Sequence, residues 1–310
     1  MGNNLYWAVY KNLEKELIEL SYVIYVDDKQ LSTYSIKIAE LLIRTAVEIE
    51  SISKDLYYAN GGTKANDNTL AFDSDCIDFL DALWNLGSKV VKVTGLNLYL
   101  SKADNVELTP LDKANKRGKC DWKKAYQAVK HSRNANLQKG TLKNFIRALA
   151  ALYLLNLYYR DTVFQVGKDA QYKSFDAGCD SDIFSIKINS GISITSPRLI
   201  AKQPDFDQCV YIFAPTAQSG LFLQQLYAEK EKKISIEKQR LTTNKLNVFV
   251  LDGTISSYRE FGLLPQEKVI PLEKEALKEA SQAVNAEYGE RLTNAYAQLE
   301  YELILNKNQL

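Results

Sequence analysis

Residues 121–159 read DWKKAYQAVKHSRNANLQKGTLKNFIRALAALYLLNLYY and hold the only histidine of the chain and its longest nearly continuous apolar run. In a helix over residues 121–133, one arc is apolar and consists of Trp122, Ala125, Tyr126, Ala128 and Val129. The opposite arc, here called the α5 polar face, consists of Lys123, Lys124, Gln127, Lys130 and His131. After a break, Thr141 can cap a second helix that is apolar almost all round. We expect that helix at the centre of a bundle.

The composition is that of a folded globular protein with no global preference for nucleic acid. The 310 residues are 46% apolar and 25% charged, and 39 basic residues nearly balance 38 acidic ones. Any nucleic-acid surface must therefore be local. Four scattered cysteines form no CxxC pair, which predicts free thiols; they are Cys76, Cys120, Cys179 and Cys209. The charged first helix and the lack of a cleavage signal predict a cytoplasmic protein with no membrane partner.

The first 165 residues predict a helical bundle. An apolar stripe over residues 5–26 and another over residues 38–56 indicate two antiparallel helices, the second capped by Ser32, Thr33 or Ser35. A third helix is expected from about Asp73 to Gly95, and a long irregular connection spans residues 101–120.

From residue 166 the pattern changes to short β-branched and aromatic runs, which predicts a second, smaller α+β domain over 166–310. The expected strands are 183–188, 192–195, 210–213 and 247–251, with a hairpin turn at 189–191. Helices are expected over 218–240 and from Pro271 to about Asn306. The fold class is thus mainly α, with a small antiparallel sheet and a long last helix.

Several kinds of site are excluded by the residues present. With one histidine, a two-histidine metal site is impossible, and a catalytic Ser-His or Cys-His pair could use only His131. Neither GxGxxG nor a phosphate loop occurs. The acidic cluster of Asp176, Asp180 and Asp182 lacks the glycine and glutamate of a calcium loop and is interpreted as turn and cap residues. We expect no metal and no cofactor.

His131 has two interpretations. It is either a polar-face histidine with a local hydrogen bond or an acid or base within a phosphate-binding surface, where neighbouring lysines would favour its neutral form. Candidate substrate-binding residues beside it are Lys123, Lys124, Gln127 and Asn134.

The segment LLIRTAVEIESISKDLY at 41–57, followed by DWKKAYQAVKHSRN at 121–134 and a very apolar helix, resembles the HEPN superfamily of helical bundles in prokaryotic toxin and defence systems. The resemblance covers about residues 5–160. In active members it implies an Arg, a neighbouring polar residue and a His four to six positions after the Arg, paired across a dimer to cut RNA without a metal. Here Lys124, Ala125, Tyr126 and Gln127 stand seven to four positions before His131, and the nearest arginine, Arg133, follows it.

Two functions are therefore expected as alternatives. In the first, a HEPN-like component of a stress or antiviral response binds or cuts RNA, with His131 as general base and Arg133 and Lys130 neutralising the phosphate. In the second, a non-catalytic scaffold or sensor acts through protein–protein contacts and its long last helix. Both alternatives include a homo-oligomer.

Substitutions at Arg133 and His131 distinguish a structural role from a functional one. On a helix continuing from 121 to 133 it lies near Trp122, so it needs a carboxylate partner on the second helix, with Glu48 first and Glu40 next. Its replacement by alanine would then cost about 2–4 kcal/mol, against less than about 1 kcal/mol for His131→Ala.

Overall fold

The computed structural model describes residues 4–67, 69–112, 121–193 and 199–309. Nine α-helices occur in these ranges: α1 Leu5–Ser21, α2 Ile36–Ala59, α3 Asp78–Trp84, α4 Ala103–Val106, α5 Asp121–His131, α6 Arg133–Asn136, α7 Leu142–Arg160, α8 Ala217–Leu251 and α9 Gln266–Gln298. The strands are β1 Val26–Asp27, β2 Val91–Val93, β3 Leu98–Tyr99, β4 Glu107–Leu108, β5 Phe164–Gly167, β6 Phe184–Ile186, β7 Ile188–Asn189, β8 Tyr211–Pro215 and β9 Tyr301–Leu305. The mainly α fold class with a smaller α+β part is confirmed.

Helix α7 is the centre of the bundle, as its apolar sequence predicts. The Thr141 side chain caps it by accepting a hydrogen bond from the Asn144 backbone N–H at 3.3 Å. From Leu142 to Tyr158 nearly every side chain is buried, because α1, α2 and α5 surround the helix. Ser35 is the cap of α2, which ends before Asn60 as predicted.

Three small sheets occur among the described residues. Strands β1 and β3 form a parallel pair, and β2 lies between β4 and β6 in an antiparallel sheet. The largest sheet has the order β5-β9-β8-β7 and is antiparallel except for β7 and β8. Since β6 pairs with β2, and β5 spans the predicted boundary at residue 165, both predicted parts contribute to shared sheets. The division at residue 165 stays a prediction.

Helices α8 and α9 form a long antiparallel hairpin, here called the arm, between the neighbouring strands β8 and β9. Along most of their length they pack against each other through one apolar seam, which on α9 includes Ala276, Ala280, Val284 and Tyr288. At 1.5 Å per residue each helix is about 50 Å long. No helix in the described ranges combines the length and apolar character needed to cross a membrane.

Several element boundaries differ from the sequence expectations in the second half. Residues 247–251 end α8 rather than form a strand, because Phe249 and Val250 pack with Ile255 and Leu264 at the end of the arm. The last helix stops at Gln298, and Tyr301, Leu303 and Leu305 alternate toward the core of β9. Pro271 lies inside α9, five residues after its start, rather than in the first turn.

The hairpin predicted at 189–191 is also wrong. Strand β7 pairs with β8, and Ile192 forms an isolated bridge with Ile200. Gly191 lacks a positive φ; it is needed because a Cβ there would collide with the Ala201 carbonyl oxygen. Residues 194 and 195 of the predicted second strand lie outside the described ranges.

The third helix is shorter than predicted. A π-helical turn over Phe72–Ile77 leads into α3, which ends at Trp84, and residues up to Gly95 include strand β2 instead. Cys76, Cys179 and Cys209 are buried and form no disulfide bond with one another. Cys120 lies outside the described residues.

Candidate functional site

Helix α5 presents its two arcs as predicted. Trp122, Ala125, Tyr126 and Val129 are buried, and the Trp122 indole N–H donates to the Pro110 carbonyl oxygen at 2.9 Å. This contact fixes the rotation of α5 and so leaves the polar face directed away from the core.

Carboxylates of neighbouring elements contact the lysines of the α5 polar face. Lys130 donates to the Tyr126 hydroxyl at 3.0 Å and lies 4.0 Å from the Glu50 carboxylate. The hydrogen bond to Tyr126 raises the pKa of Lys130. Lys123 forms an ion pair with Asp73, and burial lowers the pKa of Lys123. Two of the three lysines of the α5 polar face are therefore already paired within the chain.

His131 is the exposed last residue of α5, and Arg133 starts a separate short helix, α6, after Ser132. Arg133 Nη1 lies 3.4 Å from the Glu40 carboxylate, and the two side chains are 48% and 50% exposed. The partner is thus Glu40 rather than Glu48, and the pair lies at the surface. The prediction that Arg133 lies beside the buried arc was wrong, because α5 ends at His131 and does not continue to residue 133.

The remaining predicted binding residues lie at the surface around the same helix. Lys124 and Asn134 are exposed, and Gln127 is half-buried. The structure thus brings His131, Arg133 and Asn134 together at the C-terminal end of α5, while Lys123 lies near its N-terminal end.

A second cationic region was not predicted from the sequence. It is a groove of about 650 Å³ between the segment before α2, the start of α4 and the start of α7. We call it the basic groove, because it is lined by Lys29, Lys102, Lys143 and Arg147. Among the described residues, no carboxylate forms an ion pair with any of its three lysines.

Asp28 lines the basic groove, but its carboxylate is hydrogen-bonded to groups of the chain itself. Its carboxylate accepts hydrogen bonds from the Ser101 backbone N–H at 3.1 Å and hydroxyl at 2.6 Å, and from the Lys102 N–H at 3.1 Å and the Asn105 amide at 2.8 Å. These bonds, led by the one from the Ser101 hydroxyl, lower the pKa of Asp28 to about 2. The other carboxylate of the lining is Asp104, so cations outnumber carboxylates.

The basic groove and Arg133 lie at the same end of α2. Gly140 packs against Ala39 of α2, one residue from the Glu40 that pairs with Arg133. Thr141, which lines the groove, forms a β-bridge with Tyr34, whose side chain is 51% exposed. The half-exposed Tyr34 is therefore a backbone neighbour of the groove lining.

The acidic cluster around residue 180 is held by protein groups: Asp176 is a turn residue, as interpreted from the sequence, whereas Asp180 and Asp182 form ion pairs. Asp180 pairs with Arg160 at 2.9 Å and Asp182 with Lys11 at 2.8 Å, while Asp176 accepts from the Gly178 N–H at 2.8 Å. Among the described residues, no cluster of histidine, cysteine and acidic side chains could hold a metal ion.

Comparison of the chain with family models, with curated proteins and with solved structures found no match to any of them. The functional inference therefore rests on the charges and contacts of the basic groove and of the end of α5. Sequence reasoning missed the groove because its four cations come from three segments, residues 29, 102 and 143–147, which share no local spacing.

Proposed function

We propose that this protein binds single-stranded RNA through the basic groove and the adjoining end of α5. The observation that carries the proposal is the convergence of Lys29, Lys102, Lys143 and Arg147 in one open groove, with three of the four outside any ion pair of the described residues. Lysine and arginine neutralise backbone phosphates, and this contact supplies most of the affinity that does not depend on sequence.

Tyr34 supports a single strand rather than a duplex as the ligand. Tyr34 is about half exposed, and its backbone pairs with that of Thr141 in the groove lining. An exposed aromatic ring next to a cationic track stacks on an unpaired base, whereas bases within a duplex are already stacked. The resemblance to HEPN bundles suggests that such binding serves a prokaryotic stress or antiviral response, and this setting is part of the proposal.

Binding is favoured over cleavage by the contacts at the end of α5. Arg133 pairs with Glu40, and Lys130 contacts Tyr126 and Glu50, so both cations proposed to neutralise the phosphate next to His131 have partners within the chain. A phosphate would have to displace these contacts before either group could stabilise a transition state.

Fluorescence anisotropy with a labelled single-stranded RNA of about 20 nucleotides tests the proposal at about 50 and 200 mM salt. In the Lys102→Gln/Lys143→Gln variant we expect the affinity to fall by about tenfold or more and the salt slope to decrease by about one per lysine removed. Lys274→Gln, at an exposed lysine of α9, is the matched control and should bind like the wild type. Equal affinity of the double variant and the control contradicts the proposal.

The same samples separate binding from cleavage. We expect the RNA to be recovered intact on a denaturing gel after incubation without metal. RNA that is cut by the wild type and left intact by His131→Ala would instead support the catalytic alternative, with His131, Arg133 and Lys130 as its residues.

A second candidate function, a non-catalytic oligomeric scaffold, is favoured by the arm. Its outer end carries exposed apolar side chains, among them Leu251 at 87% and Leu263 at 78% exposure. Exposed apolar groups gathered at one end of a long helical hairpin are typical of a protein contact. Light scattering of the wild type and of Leu251→Asp tests this candidate, because loss of an oligomer in the variant would support it and a monomeric wild type would exclude it.

A further inference from the structure

Five large apolar side chains are exposed together where α1 ends and where β3 begins. We call this surface the Leu96 patch, and its members are Tyr22 (77% exposed), Val23 (78%), Tyr25 (63%), Leu96 (92%) and Tyr99 (52%). Single exposed apolar residues are common on proteins, but a group of five adjacent ones marks an interaction surface.

Backbone pairing brings the two segments of the patch together. Strands β1 and β3 are parallel neighbours, with Val26 opposite Leu98 and Asp27 opposite Tyr99. The Tyr25 and Tyr99 rings stack with centroids 4.7 Å apart. Among the described residues, neither strand has a further strand partner, so this small sheet keeps a free edge beside the patch.

An apolar pocket of about 160 Å³ opens within the same surface. Leu17, Ile18, Leu98 and Ile183 line it, together with Leu96, which remains 92% exposed. An apolar cavity of about 150 Å³ accepts a molecule the size of benzene, so this pocket accepts a leucine side chain.

We propose that a second copy of this chain occupies the Leu96 patch in a two-fold symmetric dimer, with Leu96 of each copy entering the pocket of the other. The surface carries a nearly fully exposed leucine beside a pocket of leucine size. A surface that has both a protruding group and its complementary pocket is self-complementary, which is the requirement for an isologous two-fold contact. This inference does not rest on the proposed RNA binding.

The size and the charges of the patch agree with this occupant. With roughly 200 Å² for a fully exposed tyrosine, the five side chains expose about 600 Å², near the 800 Å² per partner of a standard interface. Asp182, the charged residue of the pocket lining, is paired with Lys11 at 2.8 Å. Docking therefore covers the apolar groups without leaving this carboxylate unpaired.

Sedimentation velocity between about 1 and 100 µM tests the proposal on the full chain. We expect the wild type to be a dimer and Leu96→Asp to raise its dissociation constant by at least about 30-fold, as for a central apolar anchor. Val23→Asp, a second exposed position in the patch, should act in the same direction. Leu5→Asp is the matched control, because Leu5 is also an exposed leucine, at 68%, but lies at the start of α1, outside the patch. Leu251→Asp tests the end of the arm instead.

Far-ultraviolet circular dichroism spectra of the variants establish that each one is folded; since Leu96 and Val23 are largely exposed, the spectra should match that of the wild type. A wild type that stays monomeric at the highest concentration overturns the proposal; the patch would then be a contact surface for a different protein. A dimer that Leu251→Asp dissociates while Leu96→Asp does not overturns it in favour of contacts through the arm. Loss of RNA binding in the Lys102→Gln/Lys143→Gln variant with the dimer intact would separate the two proposals.

Discussion

Arg133 and Glu40 form an ion pair at 3.4 Å in which both side chains remain about half exposed. Water therefore solvates both charges, and such pairs contribute about 0–1 kcal/mol to stability. We predict that Arg133→Ala lowers the free energy of unfolding by less than about 1 kcal/mol, instead of the 2–4 kcal/mol expected for a buried pair. Urea unfolding of Arg133→Ala and Glu40→Ala measures it, and a loss above about 2 kcal/mol in either would mean that the pair is buried in solution.

Glu14 differs from Arg133 because it is buried within the core. Its carboxylate accepts hydrogen bonds from the Tyr10 hydroxyl at 2.8 Å, the Ser181 hydroxyl at 2.6 Å and the Asp182 N–H at 3.0 Å, and Lys11 contacts it as well. Glu14→Ala leaves the Asp182 N–H without its acceptor and leaves the Tyr10 and Ser181 hydroxyls, 2.7 Å apart, with only each other, so we predict a loss of about 3 kcal/mol by urea unfolding.

Glu19→Ala on the same helix is the control for Glu14. Glu19 is exposed and pairs only loosely with Lys15 at 3.9 Å, so its removal should cost less than about 0.5 kcal/mol. Similar losses in the two variants would show that the network around Glu14 does not stabilise the contact between α1 and the loop at 181.

Because Lys89 is buried, we predict that the free energy of unfolding rises with pH. Burial lowers its pKa from 10.5 to about 8, although the charges of Asp207, Cys209 and Asp81 oppose the shift. Below about pH 8 both the folded and the unfolded chain hold the proton, and folding bears the whole cost of burying the charge. Between about 8 and 10.5 the unfolded chain binds a proton that the folded chain has released, so stability increases with pH.

Lys89→Met removes this cost and should raise the free energy of unfolding at pH 7 by up to about 3 kcal/mol. The difference between wild type and variant should shrink as the pH rises toward 10.5. Tyrosines with raised pKa values, such as Tyr6 at about 12, titrate equally in both proteins and cancel in this difference. Lys232→Met, at an exposed position of α8, is the control. A difference that does not change with pH would show that the Lys89 ammonium is solvated in the folded chain.

The helices could be predicted because their signals are local. The Ser35 cap, the stop at Asn60 and the Thr141 cap are each fixed by a few neighbouring residues, and the structure confirms all three. The strand predictions were wrong where the same residues fit both the helical and the strand periodicity. Residues 299–303 continue the apolar spacing of the last helix, and only pairing with β5 and β8 makes Tyr301–Leu305 a strand.

The basic groove and the Leu96 patch could not be predicted for a related reason. Each joins residues that are far apart in sequence, such as Lys29 with Lys143 and Tyr25 with Tyr99, and such contacts depend on tertiary packing. Arg133 shows the same limit on a smaller scale. One residue outside α5 at Ser132 was enough to change the direction of its side chain from the buried arc to the surface.

Asp28 links fold and proposed function, because its carboxylate organises one wall of the basic groove. It accepts hydrogen bonds from the N–H groups of Ser101 and Lys102, both at 3.1 Å, and so holds Lys102 at the groove. In Asp28→Ala we predict faster hydrogen–deuterium exchange at these two amides, because they lose their acceptor. The Gly87 amide, which donates to Asp81 at 2.6 Å, is the internal control and should exchange at the wild-type rate.

The same carboxylate predicts an acid-dependent change. Since the pKa of Asp28 is lowered to about 2 from an ordinary 3.8, its carboxylate keeps these hydrogen bonds as the pH falls through 3.8 and loses them as the pH falls through about 2. Exchange at the Ser101 amide, corrected for its intrinsic pH dependence, should therefore approach that of Asp28→Ala near pH 2. Protection that is unchanged at pH 2, or unaffected by Asp28→Ala, would mean that the chain around residue 101 holds its conformation without Asp28.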